Sequence, residues 1–101
     1  MTKTFLITRR REPRWDDARP MEEQVEWQAH ADFMDSLASE GWLLLVGPVE
    51  GTRDALLVVR AEGEDEIRER LASDPWTRNG LLRTAEIREW TVRIGSKRLE
   101  G

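Results

Sequence analysis

His30 is the only histidine of the chain. It falls in the run Trp27, His30, Ala31, Met34, Leu37 and Ala38, whose steps of three and four residues trace one face of a helix. An imidazole on an apolar face needs a hydrogen-bond partner, because burying it unpaired costs free energy. Histidine is also the side chain whose unperturbed pKa lies nearest neutrality, which makes it the natural general acid or base. The best partner in the sequence is Asp74, in Ser73-Asp74-Pro75-Trp76. A carboxylate bonded to one ring nitrogen fixes the tautomer and leaves the other nitrogen to exchange a proton. Asp74 has a competing role, since Asp before Pro is a common helix N-cap. One carboxylate can do both.

Other residues join this pair as candidates. Gly47-Pro48-Val49-Glu50-Gly51-Thr52 reads as a turn. Its glycines would let backbone N–H groups approach an oxyanion, or would only form the turn. Trp76 either walls a pocket or fills a core or a dimer interface. Trp15 reads as a lid or a dimer contact, and Trp42 and Trp90 as sheet packing. Ser73 is a poor nucleophile, because no second histidine exists to activate it. Arg9, Arg10, Arg11, Arg14 and Arg19 are interrupted by acids and read as a solvated loop, from which one or two could reach an anionic ligand.

Composition narrows the chemistry. With a net charge of -4, nucleic-acid binding is not expected, since that needs a basic face. There is no cysteine, which excludes disulfides, thiolate catalysis and zinc-thiolate sites. One histidine without cysteine argues against a transition-metal site. No cofactor is expected. The N-terminal apolar run is too short for a signal peptide, and no stretch approaches the roughly 18 apolar residues of a membrane span. A soluble cytoplasmic protein is the expectation.

These residues must be positioned by regular elements. Residues 4–8 read as a strand, and 9–20 as a charged loop. Residues 21–40 read as one helix, opened by acids after Pro20 and stopped by Gly41. Residues 42–46 and 54–60 are apolar at nearly every position, as in strands buried on both faces. Residues 64–72 read as a second helix, with Ile67 and Leu71 on one face, and 84–94 as the last strand. The order β-α-β-β-α-β predicts an α+β ferredoxin-like plait, a four-stranded antiparallel sheet with both helices on one face. One domain over residues 1–95 and a flexible tail over 96–101 are expected. The second sheet face would be left open and apolar, which predicts a homodimer packed through it.

Three segments carry a resemblance: His30-Ala31-Asp32-Phe33-Met34, then Gly41-Trp42-Leu43-Leu44-Leu45-Val46-Gly47-Pro48, then Asp74-Pro75-Trp76-Thr77-Arg78-Asn79-Gly80-Leu81. In this order and spacing the chain resembles the YciI-like proteins, the YCII-related domain family of the dimeric α+β barrel group. The resemblance implies an active site of His30 and Asp74. Gly47, Pro48, Trp76 and Trp27 are expected to line a small-molecule substrate beside this pair. The family often has arginine three residues before its histidine; here Trp27 stands in that place. Relatives on this scaffold include lactone isomerases and dehalogenases. The implied function is therefore cofactor-independent acid/base chemistry on a small organic acid or lactone. A binding or accessory module without turnover is the alternative. An oxygenase-like reaction on an aromatic substrate is a third reading, and the lone histidine could also ligate haem, as elsewhere in the group.

Overall fold

The computed structural model describes residues 1–95; the expected tail, 96–101, lies outside the described residues. Strand β1 (Lys3–Arg11) alternates in burial, with Phe5, Ile7 and Arg9 facing inward. It lies between β3 (Asp54–Ala61) and β4 (Leu82–Glu89), and β2 (Leu43–Pro48) flanks β3. The sheet order is β2-β3-β1-β4, with every neighbouring pair antiparallel. Phe5 sits opposite Val59, and Ile7 opposite Leu57, so these four side chains share one sheet face. Helix α1 (Trp27–Ser39) brings Met34 and Leu37 onto that face, and α2 (Glu64–Leu71) brings Ile67 and Leu71. This is the ferredoxin-like α+β plait.

β1 runs on to Arg11, so Arg9 to Arg11, expected in a loop, belong to the sheet. Ion pairs make this possible. Arg10, opposite Asp54, donates to it through Nε at 2.7 Å and Nη2 at 3.2 Å, and Arg9 meets a buried acid described below. α1 begins at Trp27, not at residue 21. Only Met21–Glu23 turns ahead of it, as a single 3₁₀ turn. Gln24 is buried there. Its Nε2 donates to the carbonyls of Asp16 and Arg19, and its Oε1 accepts from the Asp16 amide. Glu26 then takes a left-handed conformation, φ 60°. Local helix propensity is overruled here by hydrogen bonds that pin the 12–20 loop. The inward face of α1 is also narrower than its sequence pattern: Ala38 is exposed.

The helix ends as Gly41 predicts. The Gly41 amide bonds the Ala38 carbonyl, and the Trp42 amide bonds the Leu37 carbonyl, with Gly41 at φ 80°. This is a Schellman cap, whose hydrophobic contact is between Leu37 and Trp42 in the core. Gly47 and Pro48, expected in a turn, close the edge strand β2, where the missing proline N–H is tolerated. β2 is not buried on both faces in a single chain: Leu45 is 57% exposed and Val46 51%. β4 starts earlier than expected and stops at Glu89. The Trp90 amide still reaches the Thr4 carbonyl, but β1 begins at Lys3, so the residues up to Ile94 have little strand left to pair with. Among the described residues, no helix is long and apolar enough to cross a membrane.

Candidate active site

The chain between α2 and β4 makes one short helix, α3 (Pro75–Arg78), and Asp74 is its N-cap. Proline at the first helical position suits the cap, and Asp74 Oδ1 accepts from the Trp76 amide at 3.0 Å. The same Oδ1 lies 2.8 Å from His30 Nδ1. Asp74 is fully buried and His30 is 8% exposed. The two readings of Asp74 therefore coincide in one oxygen. A carboxylate can only accept, so Nδ1 carries the hydrogen in this contact. Among the described residues, none takes the other ring nitrogen.

Asp74 has a third neighbour. Arg9, only 1% exposed, points Nη1 at Asp74 Oδ2 across 3.4 Å. Its Nη2 donates to Thr77 Oγ1 at 2.6 Å, and that hydroxyl donates in turn to the Leu71 carbonyl at 2.9 Å. Arg9 Nε is buried without a partner among the described residues. Burial pulls the Arg9 guanidinium below its ordinary pKa, while neighbouring Asp74 pulls it back up. Arginine stays charged through this contest, so the carboxylate is held between a cation, an amide and an imidazole.

Aromatic rings fix the imidazole from the side. Trp76 stacks on His30, with centroids 3.7 Å apart and planes 10° from parallel. The Trp76 indole donates to the Val25 carbonyl at 2.8 Å, an acceptor available because the chain is not helical at Val25. Trp15 meets Trp76 edge-on at 5.0 Å, and Trp27 leans on both Trp76 and His30. Trp15, read from sequence as a lid or a dimer contact, is buried packing.

His30, Trp27, Trp76, Gly47 and Pro48 all line one cavity of about 260 Å³, together with Arg9, Arg11 and Trp15. The sequence-based candidates thus converge on a single space, except Asp74, which is buried and reaches it only through His30. Gly47 stands opposite Leu56 on the outer face, so its backbone rather than a side-chain direction borders the cavity. A larger open groove, about 590 Å³, runs behind α3 past Arg14, Arg68 and Arg83, but neither His30 nor Asp74 lines it.

Arg9 and Thr77 are site residues that sequence reasoning missed. The signal for Arg9 was present: Phe5, Ile7 and Arg9 are spaced by two, which puts the arginine on the buried face of β1. Thr77 had no such signal, since its role depends on Arg9 reaching across from another element.

No curated protein matches the chain. Among solved structures, one similar to it is 5-chloro-2-hydroxyhydroquinone dehydrochlorinase from Burkholderia phenoliruptrix AC1100, in complex with 2,5-dihydroxybenzoquinone. The two are 24% identical, the match covers 89% of this chain and 95% of that one, and the TM-score is 0.60. At this identity the likeness is one of fold. The family model of the YCII-related domain matches residues 4–91, and the chain belongs to that family.

Proposed function

We propose that this chain is a small cofactor-independent enzyme whose His30 and Asp74 form an acid/base dyad acting on a small organic acid or lactone. The reaction is of isomerase, lyase or dehalogenase type. The observation that carries this reading is the 2.8 Å contact of His30 Nδ1 with the buried Asp74 carboxylate, His30 itself lining a cavity. Asp74 accepts Nδ1–H and leaves Nε2 as the basic nitrogen. Nε2 would take a proton from a carbon beside a carbonyl. The electron pair left behind either picks up a proton at another carbon or expels a leaving group from the adjacent one. Asp74 stabilises the imidazolium formed in that step. Trp27, Trp76 and Pro48 wall the substrate, and the backbone at Gly47 borders it. The dehydrochlorinase with the same fold supports the elimination arm.

The test is turnover on a panel of small lactones and halogenated hydroxy acids, with His30→Ala beside the wild type. A loss of about 10²–10⁴-fold is expected. Unchanged turnover in His30→Ala contradicts the dyad. The alternative is a binding module without turnover, with which the tight stacking of His30 on Trp76 is equally compatible. Its signature is thermal stabilisation by a ligand that is recovered unchanged.

The working form we propose is a homodimer, with two sheets packed through their outer faces. Exposed Leu45 and Leu56, neighbours of buried Val58 on β2 and β3, support it, and sedimentation at micromolar concentration checks it.

A further inference from the structure

Arg11 lies two residues beyond Arg9 on β1 and lines the same cavity as His30. Its surroundings set it apart from four of the arginines near it; Arg14 also meets no carboxylate among the described residues, but it lines the other groove. Arg9, Arg10, Arg53 and Arg83 each meet a carboxylate within ion-pair distance. Arg11 has none among the described residues. Its guanidinium lies over the Trp15 ring, 4.5 Å from the centroid. Trp15 is itself buried against Trp76, and Trp76 against His30. The rings therefore hold Arg11 at a set distance from the imidazole.

Among the described residues, no acid of the cavity wall pairs with it. Arg9 is matched by Asp74. Asp35, exposed on α1, is the one acid lining the cavity, and it makes no ion pair with Arg11. The rest of the wall is largely apolar and aromatic, including Met21, Met34, Leu57 and Leu82. A cation held on an aromatic face beside apolar surface keeps its donors available for a ligand.

We infer that Arg11 is the specificity-determining residue of this cavity and seats the anionic group of a small monoanionic ligand, a carboxylate or phenolate. This rests on the cavity proposed above as the active site, but it does not need the dyad to turn over. It narrows the ligand class: acids bind, and neutral lactones of the same size bind weakly. A cavity of about 260 Å³ suits one ring or a short chain.

The probes are benzoate and its neutral isostere benzamide, titrated by tryptophan fluorescence at low ionic strength. Wild type is expected to prefer benzoate by about tenfold or more, with the preference shrinking as salt is added. Arg11→Met should bring the ratio close to one, and Arg11→Lys should retain part of it. Circular dichroism shows that each variant is folded, and Arg11→Lys carries the comparison if Arg11→Met does not fold. Failure of benzoate to bind wild type, or an undiminished preference in folded Arg11→Met, overturns the proposal. His30→Gln separates the two readings. Turnover of a panel acid that is unchanged in His30→Gln removes the catalytic reading, and benzoate binding retained in that same protein leaves the anion seat standing.

Discussion

The C-terminal half of α1 sets Met34 and Leu37 among Phe5, Ile7, Leu57 and Val59, whereas its N-terminal half sets Trp27 and His30 against Trp76 and the buried Asp74. The first interior is apolar and held mainly by packing, with the Trp42 indole bonded to Glu66 at its edge. The second is smaller and held by hydrogen bonds that share acceptors: one carboxylate serves an amide, an imidazole and a guanidinium. A gap in an apolar cluster costs in proportion to the volume lost. Removing a shared acceptor leaves several buried donors unpaired at once, so its effect spreads over three elements.

The largest effect is expected for Asp74→Ala. It removes the cap of α3, worth about 1 kcal/mol, and strands Arg9 as an unpaired buried charge, worth about 3–5 kcal/mol. Leu37→Ala, at the centre of the apolar cluster, should cost about 2–5 kcal/mol. Urea unfolding measures both. The sharper contrast lies in turnover: folded Leu37→Ala should keep it, and Asp74→Ala should lose it. An Asp74→Ala protein as stable as wild type would remove the distinction between the two interiors.

The apolar interior was largely legible in the sequence. Met34 and Leu37 repeat at helical spacing, Ile67 and Leu71 likewise, and the strands announce themselves by β-branched and apolar runs. The His30–Asp74 pair was also legible, through the lone histidine and the resemblance. What the sequence hid was how its own elements interact at the other end. The pattern from residue 21 fits a helix, yet Gln24 and Val25 give their hydrogen-bonding groups to the 12–20 loop and to Trp76 instead. Arg9 looked like loop charge because its partner, Asp74, lies 65 residues away in sequence. The spacing of Phe5, Ile7 and Arg9 by two marks the buried face of β1, but nothing periodic names the partner across the fold.

The break before α1 offers a smaller test. Glu26 sits at φ 60°, where a side chain costs about 1 kcal/mol and glycine does not. Its exposed contact with Asn79 recovers only part of that. Glu26→Gly is therefore expected to stabilise by about 0.5–1 kcal/mol in thermal unfolding. A loss of stability would show that the helix start depends on the Glu26 side chain.

The smallest effect belongs to the ion pair outside both interiors. The hydrogen bond from Arg10 holds the Asp54 carboxyl below its ordinary pKa. The folded state thus favours the ionised form. The contribution is present above the ordinary value near 4 and fades as pH falls through the lowered one. Arg10→Gln should bring the Asp54 midpoint back up in a carbon-detected NMR titration and flatten the acid limb of stability slightly. An unmoved midpoint would show that the pair is not formed in solution.

The nitrogen chemical shifts of the His30 ring, in uniformly labelled protein at alkaline pH, test the arrangement most directly. One histidine gives one unambiguous ring. With Asp74 accepting from Nδ1, the neutral ring must show a protonated Nδ1 and a bare Nε2, and Asp74→Asn must shift that balance. A ring protonated at Nε2 in the wild type would mean that Asp74 does not orient His30, and the proposed dyad would fall.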